Sequence, residues 1–315
     1  MRRTHPAAAV LLVAVLAGPA PAADPPDAAI LAELPFVSDE ANRIFIDLAP
    51  QGSARPLRML LDTGATFSVA TPRAARALGI RVRRLKHDPY RRRTILGRDL
   101  QLIIDTRSSD TGSKTGFEYA LLGGNFLSSY VVELDFPGRR VRFIDPGRYR
   151  VPESVDAPGE AVLPLKIVSN RPGLRVEFNG ESTWVLPDTG APIGFQVSGE
   201  LAQRAAIPHA PVPGLRVESV LGPVKMELGE ARRVRLGPFE FENVAVAVAP
   251  RGFYNLGFPG DALVGYEVLA QFVVRLDYRR ERIWLRRNPD AEPTLNTPLE
   301  SARSHPPAAE STDDD

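Results

Sequence analysis

The chain has no cysteine among its 315 residues. That excludes disulfides, thiolate zinc sites, iron–sulfur clusters, cysteine nucleophiles and a lipid-carrying cysteine. Histidine is scarce: His5, His87, His209 and His305 lie far apart, and none pairs at the i, i+4 spacing of a helical metal site. No metal or other cofactor is therefore expected. Charge of one sign is lacking too, with 39 basic against 38 acidic residues, so nothing argues for nucleic acid as a partner. The basic cluster Arg81, Arg83, Arg84, Lys86, Arg91, Arg92 and Arg93 reads as a solvated loop face. No apolar run reaches the ~18 residues that a membrane helix needs. Long helical patterns are few, whereas 30 prolines and 25 glycines point to short strands and turns.

The ends separate from the rest. Arg2 and Arg3, an apolar run from Ala7 to Ala17 and the sequence Gly18-Pro-Ala-Pro-Ala22 have the order of a secretory leader. Cleavage after Ala22 and an exported product, periplasmic or secreted, are expected. At the other end, residues 288–315 are rich in Pro, Ala, Ser and acid and close on Asp313-Asp314-Asp315. Such a segment cannot bury enough apolar surface to offset its ordering entropy, and a disordered acidic tail is expected.

Between the ends the chain repeats itself. Asp62-Thr63-Gly64-Ala65 returns as Asp188-Thr189-Gly190-Ala191, each behind an apolar, strand-like run. Ala120-Leu-Leu-Gly123 is matched by Ala262-Leu-Val-Gly265, and Tyr130-Val-Val-Glu-Leu-Asp-Phe136 by Phe272-Val-Val-Arg-Leu-Asp-Tyr278. Three blocks in one order are a duplication. Each motif is preceded by a hairpin, near 43–48 and 57–62 and again near 173–178 and 183–187; the second turns at Asn179-Gly180, a strong two-residue turn signal. Each motif is followed by a short capped helix, opened by Thr71-Pro72 and by Ser198. Two halves, 23–145 and 162–287, are expected around a linker at 146–161.

A strand ending in Asp-Thr-Gly, followed later by two apolar residues and Gly, resembles the retropepsin/pepsin-like aspartic proteases. The resemblance covers most of residues 43–285, and the duplication with an export signal looks like the bacterial two-lobed members. It implies an all-β fold with a few short helices: two homologous β-barrel lobes related by a pseudo-twofold axis, with Asp62 and Asp188 on the floor of the cleft between them. The implied activity is peptide-bond hydrolysis on a polypeptide held in that cleft. Two carboxylates ~3 Å apart cannot both ionise, so one serves as base and the other as acid. Thr63 and Thr189 would brace the two loops across the axis, and Gly64 and Gly190 would let the opposite backbone approach the carboxylates. Gly123 and Gly265 mark the downstream partners of the two loops. One chain supplies both halves, so a monomer is expected. A catalytically inactive peptide-binding module on the same fold is the alternative.

Three local expectations complete the reading. Pro187 stands where the first half has Leu61; a proline removes a ladder donor, so this strand end is expected not to pair as its counterpart does, and Pro192 pushes Ala191 toward extended geometry. The second half carries an extra hairpin around Leu221-Gly222-Pro223, expected to overhang the cleft as a flap with Leu221 and Gly222 near its tip. Ala65 and Ala191 occupy positions where acid enzymes of the family commonly carry Ser or Thr. A carboxylate missing that donor has a higher pKa, which places the expected optimum between mildly acidic and near neutral.

Overall fold

The computed structural model describes residues 24–49, 56–82, 89–105, 120–219, 222–251 and 258–290. The expected leader, the expected tail beyond 290, Leu221 and residues 83–88 of the basic cluster lie outside these residues. Residues 288–290, read as the start of the tail, close a turn in which Asn288 N–H donates to the Gln271 carbonyl at 2.7 Å.

The first half runs β1 (Ile30–Ser38), β2 (Ile44–Leu48), β3 (Leu57–Leu61), β4 (Ser68–Ala70), α1 (Pro72–Ala77), β5 (Tyr90–Ile95), β6 (Arg98–Ile104), β7 (Ala120–Leu122), α2 (Gly124–Leu127), β8 (Val131–Asp135) and β9 (Arg140–Ile144). The second half follows as β10 (Glu160–Val168), β11 (Arg171–Phe178), β12 (Glu181–Pro187), β13 (Phe195–Ser198), α3 (Gly199–Arg204), β14 (His209–Ser219), β15 (Gly222–Leu236), β16 (Phe239–Ala249), β17 (Ala262–Val264), α4 (Tyr266–Leu269), β18 (Phe272–Asp277) and β19 (Arg282–Arg287). The second order is the first with β14 added. The fold is all-β with a few short helices, in two related lobes.

Local chemistry explains the shared elements. Thr71 and Ser198 cap α1 and α3, their hydroxyls accepting from Ala74 N–H at 3.1 Å and Leu201 N–H at 3.0 Å. Gly79, just past α1, sits at φ +70°, which ends the helix at no steric cost. The β11–β12 turn places Asn179 and Gly180 at φ 50° and 97°, the doubly left-handed geometry that a two-residue hairpin demands.

Three strands from each lobe form one antiparallel sheet in the order β1-β9-β8-β18-β19-β10. Its middle seam is β8 against β18, with Glu133 opposite Arg275. One face carries the apolar core shared by both lobes, including Val132, Leu134, Phe143, Val274, Leu276 and Leu285. The other face, with Val131, Val273 and Trp284, is covered by Ala29 and by Tyr149, Val151 and Val155. The stretch read from sequence as a linker thus packs against this sheet. β1, in the segment ahead of the first hairpin, is an integral strand paired with both β9 and β2.

Candidate active site

Each Asp-Thr-Gly is delivered by a buried strand. β3 runs parallel to β7, and β12 runs parallel to β17. Asp62 N–H donates to the Leu122 carbonyl at 3.0 Å, and Asp188 N–H to the Val264 carbonyl at 2.9 Å. The expectation that Pro187 would alter this pairing is corrected: Pro187 pairs with Val264 as Leu61 pairs with Leu122. The reason is directional. The last β11–β12 pair is Leu174–Val185, so Pro187 lies beyond that ladder and its missing N–H takes nothing from it.

The two loops are tied to each other by their threonines, both fully buried. Thr63 N–H donates to Thr189 Oγ1, and Thr189 N–H to Thr63 Oγ1, each at 3.1 Å. Each hydroxyl then donates onward across the axis: Thr63 to the Pro187 carbonyl at 2.8 Å and Thr189 to the Leu61 carbonyl at 2.6 Å. Four hydrogen bonds thus satisfy the buried polar atoms of both loops reciprocally, which is the condition for burying them at all.

This clasp brings the carboxyl groups together. Asp62 Oδ1 accepts from Gly64 N–H and Ala65 N–H at 2.9 Å each, and Asp188 Oδ1 from Gly190 N–H at 2.8 Å. A Cβ placed on Gly64 would lie 2.4 Å from Asp188 Cγ, and one on Gly190 would lie 3.0 Å from Asp62 Cγ. Each glycine backbone therefore lies against the opposite carboxyl, in space that no side chain can share. Gly123 and Gly265 lie one layer behind. A Cβ there would come within 2.5 Å of the Phe67 carbonyl oxygen and 2.0 Å of the Ile193 carbonyl oxygen, so both are needed for close approach to the motif loops.

Asp62 and Asp188 are half-buried residues. Burial pushes Asp62 well above the usual carboxylate range, and the neighbouring Asp188 charge pushes it further, against the pull of the Ala65 and Gly64 N–H groups. Burial raises Asp188 as well, offset by the Gly190 N–H, the Asp62 side chain, the Ala191 N–H and the charge of Arg171. The pair behaves as one titrating unit that holds a proton.

The structure brings together all the motif residues singled out from sequence: Asp62, Thr63, Gly64, Ala65, Asp188, Thr189, Gly190 and Ala191, with Gly123 and Gly265 behind. Gly222 opens β15, paired with Ser219; the expected hairpin exists, and its middle packs Leu215 and Met226 against Ile193, Ala247 and Ala249. Sequence reasoning missed Asn125 and Glu267, equivalent residues of α2 and α4. Asn125 Oδ1 accepts from Ser68 N–H at 2.8 Å, and Glu267 Oε2 from Gly194 N–H at 2.9 Å, fixing the exit of each loop. It also missed Arg171, whose charge acts on Asp188; counting back from the Asn179-Gly180 turn aligns the two in register.

An aspartyl protease family model matches residues 51–98 and 174–268. No curated protein matches the chain. Among solved structures, a retropepsin-like aspartic protease from Rickettsia conorii is 19% identical, over 40% of this chain and 89% of that one, with a TM-score of 0.31. Basic 7S globulin from soybean is 10% identical over 84% of this chain and 99% of that one, with a TM-score of 0.46. An aspartic proteinase from Irpex lacteus is 11% identical over 84% and 99%, with a TM-score of 0.49. The family match falls in both halves with one Asp-Thr-Gly in each matched segment, so the chain is similar to the aspartyl proteases in each of its two lobes.

Proposed function

We propose that the chain is an aspartic endopeptidase that hydrolyses a polypeptide lying in the cleft between the lobes. The observation that carries this reading is the reciprocal Thr63–Thr189 clasp, which holds Asp62 and Asp188 face to face across the axis. A pair sharing one proton offers a base and an acid at once. Water between the carboxyls gives a proton to the carboxylate as its oxygen bonds to the peptide carbonyl carbon, and the carboxylic acid protonates the carbonyl oxygen. Collapse of the resulting diol breaks the C–N bond, with a proton passing to the leaving amine and the pair returning to one proton. Thr63, Thr189, Gly64 and Gly190 act by positioning. The raised carboxyl pKa values and the alanines at 65 and 191 favour an optimum between mildly acidic and near neutral. The leader-like residues 1–22 support export.

Hydrolysis of denatured casein across a pH series tests the reading. Asp62→Asn and Asp188→Asn should each abolish cleavage while leaving the fold unchanged by circular dichroism. Cleavage that survives either substitution would refute the dyad, and peptide binding without cleavage by the unaltered chain would select the binding module instead.

A further inference from the structure

The two halves each carry an arginine at the same place. In the β2–β3 hairpin, Phe45 is opposite Leu60; continuing that register two residues puts Arg43 across from Asp62. In the β11–β12 hairpin, Leu174 is opposite Val185; continuing that register three residues puts Arg171 across from Asp188. Residues opposite in an antiparallel register project to the same face, so the duplication put an arginine at the equivalent hairpin position of each half.

The halves then diverge. Arg43 turns to Asp39: its Nε donates to Asp39 Oδ2 at 2.7 Å, its Nη2 lies 2.6 Å from the same oxygen, and its own N–H donates to Asp39 Oδ1 at 2.9 Å. In the second half that acidic loop is replaced by the two-residue turn Ser169-Asn170, both at positive φ, which leads straight from Val168 to its partner Arg171. Arg171 is only 8% exposed and lies over the Phe258 ring at 5.6 Å. Phe258 is in turn pressed on Gly173, where a Cβ would come within 2.7 Å of Phe258 Cζ. The turn itself is seated on the first lobe, since a Cβ on Gly124 would lie 1.9 Å from the Asn170 carbonyl oxygen. Arg171 is thus buried, fixed and electrostatically coupled to Asp188.

We propose that Arg171 is a positioning residue that breaks the symmetry of the pair, fixing Asp188 as the carboxylate and Asp62 as the carboxylic acid. The inference rests on the proposed protease reading for its consequence: Asp188 then takes the proton from water, and the carbonyl oxygen of the substrate faces Asp62. The groups around the pair agree in sign. Asp188 faces Arg171 from β11, the Gly190 and Ala191 N–H groups, and Asp62. Asp62 faces Asp188, the Ala65 and Gly64 N–H groups, and Tyr278 after β18, a phenol that burial and the Asp62 charge keep neutral. Glu267 is engaged by Gly194 N–H. An opposite charge near a carboxylate lowers its pKa by about 1–3 units; of the two duplicated arginines, Arg43 is engaged by Asp39, whereas the charge of Arg171 acts on Asp188.

Carboxyl titration followed by NMR on protein labelled at aspartate Cγ tests this without requiring turnover. The carboxyl left in Asp62→Asn should titrate at least about one unit below the carboxyl left in Asp188→Asn. In the Asp62→Asn background, Arg171→Met should raise the Asp188 midpoint by about one unit, Arg171→Lys should raise it less, and Arg43→Met should leave it in place. Equal midpoints in the two single aspartate variants would overturn the proposal, and that comparison stands even if Arg171→Met does not fold. An unmoved Asp188 midpoint in a folded Arg171→Met variant would overturn it as well. If these shifts appear but the unaltered chain cleaves no peptide, the protease reading fails and the assignment of the anion survives. If it cleaves peptide with no shift, the assignment alone fails.

Discussion

Thr189 shows how much one hydroxyl can carry. It accepts Thr63 N–H and donates to the Leu61 carbonyl, and its side chain has no contact with water. Thr189→Val keeps the shape and removes both bonds, leaving a buried N–H and a buried C=O unpaired, at about 1–3 kcal/mol for each unsatisfied group. The urea midpoint should fall accordingly, and hydrolysis should fall further than stability does, because sites of this kind tolerate only ~0.5 Å of displacement. Asp62 predicts a pH dependence. Its folded pKa is raised above an unfolded value of about 3.9, so the native state binds the extra proton between those two values. The stability tied to this proton is fully present below pH ~3.9 and is lost as pH rises through the folded value. Asp62→Asn removes the cost of the buried charge; its stability relative to the unaltered chain should therefore grow as pH rises across that window, as read from urea unfolding at pH 4 and pH 7.

At the scale of elements, the extra hairpin of the second lobe is the clearest departure from the duplication. β14 and β15 pair from His209–Gly229 out to Ser219–Gly222, and Leu215 and Met226 along the hairpin pack with Ile193, three residues past Gly190. Val224 packs in this cluster and falls within 219–224, so deleting those residues should weaken peptide binding and lower the thermal midpoint while leaving the fold intact by circular dichroism. An unaltered affinity for a peptide inhibitor or substrate would show that the hairpin does not cover the cleft. The elements legible in the sequence are those set by local chemistry. Thr71 and Ser198 announced their helices through caps, and Asn179-Gly180 announced its turn through φ > 0. Asp62 and Asp188 were legible because the motif occurs twice. What could not be read is non-local: that Pro187 sits past the end of a ladder, that β1 joins two other strands, and that Asn125 and Glu267 reach back to the motif loops. Each of these depends on where a distant strand ends, and no neighbouring residue encodes it.

For the molecule as a whole, the lobes are joined at the β8–β18 seam by an ion pair buried on the face away from the shared apolar core. Glu133 and Arg275, each 1% exposed, are paired with one another. Arg142 adds a second bond to Glu133 at 2.8 Å, and the Trp284 ring stacks 4.1 Å from the Arg275 guanidinium. Arg275 also pairs with Asp24, so loss of Glu133 leaves it one carboxylate and should cost less than the about 3–5 kcal/mol of a fully stranded buried charge. Glu133→Gln should therefore lower the urea midpoint, and the double variant Glu133→Leu with Arg275→Met should not recover it fully, because Arg142 and Asp24 each lose a partner.

The same seam decides how assembly depends on dilution. Each half supplies three strands and would, on its own, leave the edge of β8 or β18 open, an apolar template for pairing with any other chain. Because residues 146–159 run between the halves and lie against the sheet, the matching edge is always present nearby. A short tether of this kind holds its partner at an effective concentration in the millimolar range. Closure of the seam is then an intramolecular event that protein concentration does not govern, and an edge that would be sticky in a half-molecule is occupied by the chain's own second copy.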